Sequence, residues 1–176
     1  AVHGPAKREV GVLEVGKQLA HRHRVDHGAR EAVAAERAGF LHHAHPERVR
    51  ALVLCDTGPG FKTDAARQKW NDLAEETARN LEAKGLAALA EIDAKSVGRH
   101  RTTTGLIHAA RGMFRQKDSR IIESLPTIKV PTLVVIGEND AALMAGCQYM
   151  AKKIPGAKLV VVPRSGHYPN LDEPKL

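Results

Sequence analysis

Serine is absent from the first half of this chain: the four serines present are Ser96, Ser119, Ser124 and Ser165. A serine nucleophile anywhere upstream of residue 96 is therefore excluded. Aromatic residues make up only 3% of the chain, leaving little for nucleobases to stack on. The basic residues are scattered and form no nucleic-acid motif, so the formal net charge of +7 reads as a basic solvated surface, with no nucleic-acid partner. Only two cysteines occur, Cys55 and Cys147, each in an apolar setting, which rules out a disulfide framework. Both are expected to be reduced core residues of a cytoplasmic protein. No apolar run approaches the roughly 18 residues a membrane helix needs, and no charged-then-apolar leader opens the chain. No membrane partner is expected. What remains is ordinary for a soluble domain: 176 residues, 43% hydrophobic and 27% charged, enough for one real core.

The chain changes character near residue 45. Residues 1–44 contain no Ser, Thr, Ile, Asn, Met, Cys, Trp or Tyr, and Ala, Arg, Gly, His and Val supply 31 of the 44. Amphipathic helices are possible over 10–20 and 29–41. Beyond this point the pattern is legible. "RVRALVLCDT" (48–57) is a strand, its apolar run bounded by Gly58-Pro59-Gly60. Ala66, Trp70, Leu73, Thr77 and Leu81 recur at spacings of three and four, which predicts one face of a helix. Leu86 and Leu89 begin another helix, and Leu106, Ala110, Met113 and Phe114 a third. Asp118 is placed to cap a short helix carrying Ile121, Ile122 and Leu125. "PTLVVIGE" (131–138) reads as a strand buried on both faces. Leu143, Cys147, Met150 and Ile154 make the inner face of the following helix, which Pro155-Gly156 stops. "KLVVVP" (158–163) is the next strand, with Val160, Val161 and Val162 in the core. Strand, helix and strand at these spacings predict an open, mostly parallel α/β sheet.

In such sheets reactive groups gather at the carboxyl ends of the strands. Asp140 follows the 131–138 strand and His167 follows the 158–163 strand. Neighbouring parallel strands lie about 5 Å apart, so their loops can touch. A carboxylate there can orient an imidazole and stabilise its protonated form. Asp140 and His167 together are two-thirds of a hydrolytic triad.

"HPERVRALVLCDTGPG", a helical insert, and "VPTLVVIGENDAALMAGCQYMAKKIPGAKLVVVPRSGHYPNLDEP" together resemble the C-terminal half of the α/β-hydrolase superfamily. The branch resembled is that of small bacterial hydrolases, including esterases, enol-lactonases and cofactor-free haloperoxidase-like proteins. The resemblance implies an α/β fold, with residues 45–60 and 126–176 as a partial hydrolase core and 61–125 as a helical cap. It implies Asp140 as the acid and His167 as the base, in the family's order of nucleophile, acid, histidine. Trp70, Met113 and Phe114, in the cap region, are candidates to line the substrate pocket. A small ester or lactone is the implied substrate, and neither cofactor nor metal is implied.

The family's nucleophile is a serine on a G-x-S-x-G elbow upstream of "HPERV", and this chain has none there. The sheet is thus expected to lack N-terminal strands, the elbow and the oxyanion hole built on it. Asp26, in "RVDHGAR", resembles the aspartate elbow of dehalogenases, but Arg24 and Arg30 disrupt the pattern. Cys55 ends a strand, though the wrong one for the nucleophile. The composition of 1–44 fits a shifted frame of a GC-rich gene; a divergent or truncated homologue is the other account. The histidine clusters "HRHRVDH" (21–27) and "HHAH" (42–45) offer metal-type ligands without a recognised spacing. Two functions follow: a family-level ester or lactone hydrolase, weakened here by the missing serine, or an inactive fragment or binding module keeping the cap and half the sheet.

Overall fold

The structure is a computed structural model and describes Gly39, residues 41–92 and residues 100–175. Asp26, Ser96, the 21–27 histidine cluster, the possible helix over 10–20 and all of the possible helix over 29–41 except Gly39 and Leu41 lie outside the described residues. Three strands, β1 (Leu52–Cys55), β2 (Thr132–Gly137) and β3 (Lys158–Val162), form a parallel sheet in the order β1-β2-β3. Leu54 pairs with Val134, and Val135 with Val160. Between β1 and β2 lie α1 (Asp64–Lys84), α2 (Leu89–Ile92), α3 (Thr104–His108) with a π-helical turn over Ala109–Met113, and α4 (Arg120–Ser124). A longer helix, α5 (Ala141–Lys153), connects β2 to β3, and α6 (Pro169–Asp172) follows the last turn. No helix among the described residues is long and apolar enough to cross a membrane.

The core lies on one face of the sheet. Leu52, Leu54, Val134 and Ile136 pack against Cys147, Met150 and Ile154 of the α5 segment, with Ile122, Leu125 and Ile128 closing the side. Each fully buried Leu or Ile here contributes about 1.5–3 kcal/mol. The inner face expected of α5 is therefore the observed one. Asp140 caps its N-terminus by accepting from the Leu143 N–H at 3.3 Å.

The opposite face differs from expectation. Burial alternates along β2 instead of running continuously; Val53 and Val160 on this face are 39% and 44% exposed, and Val161, on the core side by its register with Ile136, is 44% exposed as well. Among the valines of β3, only Val162 belongs to the core. The physical reason is position: among the described residues β1 and β3 are the outer strands of the sheet, and the helix between β2 and β3 covers one face only. Cys55 lies on the open face and is exposed, so it is not a core residue, whereas Cys147 is fully buried.

The long helix α1 also turns differently from its expected face. Its buried residues are Ala74, Ala78 and Leu81, while Leu73 is 55% exposed. Small alanines let α1 approach its neighbours closely, and that contact outweighs the larger apolar side chain one position away. Thr63 accepts from the Ala66 N–H at its start, and Gly85 ends it at φ 63°, a left-handed conformation that glycine adopts without a Cβ penalty. Leu81, Ala88, Leu89 and Leu106 form a second, smaller core inside the insert.

Candidate active site

The site is built where two loops meet. β2 ends at Gly137, and the turn 138–140 leads into α5. β3 ends at Val162, and the turn 163–166 leads to His167. Backbone bonds stitch these turns together: the Glu138 N–H donates to Val162 O at 2.9 Å, and the Asn139 N–H to Ser165 O at 2.8 Å. The Glu138 carboxylate accepts from the Arg164 N–H at 2.9 Å, holding Arg164 at φ 58°. Gly137 lies at the seam. A Cβ there would run into the carbonyl oxygens of Gly166 and Ser165, so the close approach requires glycine.

This seam sets the central contact, 2.8 Å between Asp140 Oδ2 and His167 Nδ1. An ionised carboxylate only accepts, so Nδ1 carries the hydrogen and donates it, which leaves Nε2 as the basic nitrogen. The Asp140 side chain is 6% exposed and that of His167 34%. The acid is thus sheltered while the imidazole reaches solvent, the distribution a proton shuttle needs. The Tyr168 and His167 rings meet in a T-shaped arrangement, with centroids 5.1 Å apart.

A third group belongs to this cluster that sequence reasoning missed. Asp56, directly after β1, is 1% exposed and accepts from the Gly137 N–H at 2.9 Å and from the Cys55 S–H at 3.2 Å. One ligand atom each of Asp56, Asp140 and His167 lies within 4.8 Å of the others. Burial pushes the Asp56 carboxyl above its ordinary 3.8; the Gly137 and Cys55 hydrogen bonds and the nearby His167 oppose that, and Asp140 adds to it. The signal in the sequence was the one that marked Asp140, a carboxylate just past an apolar strand. The 42–45 histidines join no comparable group among the described residues. His42 is buried, which holds its pKa below the ordinary 6.5, and His43 is exposed.

Asp140 and His167 open onto a cavity of about 720 Å³. Trp70, Met113 and Phe114 all line it, together with Phe61, Leu81 and Leu106. The wall is pinned: the Trp70 indole N–H donates to Phe114 O at 2.6 Å, and Phe61 packs against the Trp70 ring at 5.9 Å. The Asn71 side chain brackets Gln116, donating to its carbonyl and accepting from its N–H. Of the serines, Ser119 and Ser124 sit around α4, away from the cavity lining. Ser165 is fully buried, its hydroxyl 3.4 Å from Val162 O. Cys55 does not line the cavity either.

A parallel sheet carrying a carboxylate after one strand and a histidine after the next is the arrangement of α/β hydrolases. The chain belongs to the alpha/beta hydrolase family, whose model matches residues 24–176. That match begins inside the segment that composition had set apart. Over 75% of its length the chain is 30% identical to a Bacillus subtilis (strain 168) protein described provisionally as a 2-succinyl-6-hydroxy-2,4-cyclohexadiene-1-carboxylate synthase, covering 55% of that protein. MenH from S. aureus superposes with a TM-score of 0.70 at 20% identity, over 81% of this chain and 61% of that one. A thermophilic esterase from Thermogutta terrifontis superposes at 0.59 and 24% identity, over 81% and 57%. The chain thus spans little more than half the length of the relatives it matches.

Proposed function

We propose that the chain carries the acid–base half of a small ester or lactone hydrolase, with His167 as the base and Asp140 as the acid that orients it. The observation that carries this reading is the 2.8 Å Asp140–His167 contact at the mouth of an apolar cavity. In the intact mechanism, His167 Nε2 takes the proton of a serine hydroxyl as the oxygen attacks the ester carbonyl. It then returns that proton to the leaving alcohol. A water deprotonated by the same nitrogen hydrolyses the acyl-enzyme. The residues of the insert act as a cap, and Trp70, Met113 and Phe114 accept the apolar part of the substrate. Among the described residues no serine is placed to be the nucleophile, and no serine precedes Ser96, where the family's elbow stands, so the chain's own turnover is weak, several orders of magnitude below that of a complete triad.

A second reading is favoured by that missing serine: a binding module that keeps the cavity without the chemistry. Hydrolysis of an activated ester, p-nitrophenyl butyrate, separates the two. We expect slow hydrolysis above that of equimolar imidazole, reduced to the imidazole rate in both Asp140→Ala and His167→Ala. Equal rates for parent, variants and imidazole would leave the binding module standing.

A further inference from the structure

We propose that Asp56 is a positioning residue: its carboxylate holds the acid loop against the histidine turn through the Gly137 N–H. The catalytic meaning rests on the acid–base reading above; the geometry does not. The ladder between β1 and β2 ends at the Cys55–Val135 pair. The Asp56 N–H donates to Val135 O at 2.9 Å, the last backbone contact of β1 with β2. Gly137 lies beyond that point and is buried, so its N–H requires an acceptor that the β1 backbone does not supply. Asp56 Oδ1 supplies it at 2.9 Å.

To do so the chain holds a buried non-glycine residue at φ 43°, and aspartate is among the few side chains that tolerate this. From Gly137 the linkage runs directly to the site. Gly137 O accepts from the Asp140 N–H at 3.1 Å, and the Asp140 carboxylate accepts from His167. An acceptor at position 56 therefore fixes where the turn carrying Asp140 begins. An amide meets this requirement as well as a carboxylate, since either oxygen can accept.

The test is nuclear magnetic resonance on the whole chain. Two signals are read: exchange of the Gly137 amide, and the downfield His167 Nδ1–H resonance, assigned by its loss in His167→Ala. The Gly137 amide is expected to exchange at least about 100-fold more slowly than in an unstructured peptide. Asp56→Asn should keep both signals. Asp56→Ala should lose the Nδ1–H resonance and release Gly137 to exchange about 100-fold faster. Rapid Gly137 exchange in the parent chain overturns the proposal. So does loss of either signal in Asp56→Asn, which would mean that charge, not the acceptor, matters. A folded Asp56→Ala variant with both signals intact also overturns it. Should Asp56→Ala not fold, the parent and Asp56→Asn measurements decide. Absence of the Nδ1–H resonance from the parent with Gly137 protected would count against the acid–base reading and leave the role of Asp56 supported.

Discussion

At Gly137 the strand end and the histidine turn are in backbone contact, and residues on both sides depend on it. Gly137→Ala would push a methyl group into two carbonyl oxygens that are held by the rest of the fold. Overpacking of this kind costs about 1–3 kcal/mol, so a lower urea midpoint at unchanged slope is expected. A midpoint equal to that of the parent chain would mean the seam is looser than described. Asp56 yields a prediction of opposite sign. Its folded pKa is raised, so the folded state keeps the proton longer than the unfolded chain. The stability this group contributes is full below 3.8 and is lost as pH rises through the folded value. Asp56→Asn keeps the acceptor and never ionises. From acid to neutral pH, its urea midpoint relative to the parent should rise once pH passes 3.8. A gap that is constant across that range would show that burial imposes no ionisation cost. Asp140 and His167 were legible because each follows a strand and their meeting needs only adjacent loops. Asp56 carries the same signal, but its role was not legible, because its partner Gly137 lies 81 positions away, on another strand.

Apolar runs located the strands well, because each is short and bounded by glycine, proline or charge. The faces of the elements were harder to read. On α1 the buried positions are alanines, whose small area hides them from a pattern search weighted by side-chain size. A second device in the insert is equally invisible in linear sequence: Arg111, from the π-helical turn, is forked between Glu75 and Glu82 of α1. The Arg111 hydrogen bonds hold both carboxyls below their ordinary 4.5, against a smaller effect of burial. For carboxylates with lowered pKa, the stabilisation is present above 4.5 and is lost as pH falls through the folded values. Acid should therefore loosen the contact between α1 and the turn that carries Met113 before the sheet unfolds. Trp70, the sole tryptophan, reports this because its indole is tied to Phe114. An acid shift in its emission is expected in the parent chain and should be absent from Arg111→Gln. Since the fork is solvent-accessible, added salt should weaken it. Identical acid profiles for both proteins would show that the fork does not hold the insert.

Across the whole molecule, the two faces of the sheet are unequal. One carries the core, and the other presents Val53, Cys55 and Val160, with Leu133 and Val135 between them by register. Sequence could not show this, since aliphatic side chains occupy both faces of β2, Val134 and Ile136 on one and Leu133 and Val135 on the other; coverage depends on where connecting helices fall. The two cysteines sample the two faces and make the asymmetry measurable. Cys147 is fully buried, its thiol donates to Thr57 O at 3.1 Å, and burial raises its pKa above the ordinary 9.0. Its alkylation therefore waits on an opening of the core. An opening free energy of about 3 kcal/mol already slows labelling roughly 100-fold. Cys55 needs no such opening, although its hydrogen bond to Asp56 restrains the thiol. Iodoacetamide followed over time by peptide mass spectrometry should modify Cys55 fast and Cys147 slowly, and mild urea should narrow the difference by raising the opening rate of the core alone. Equal slow rates at both positions in native buffer would mean that something covers the valine face in solution. Protection of Cys55 that grows with protein concentration would identify that cover as a second copy of the chain, joined over the apolar face.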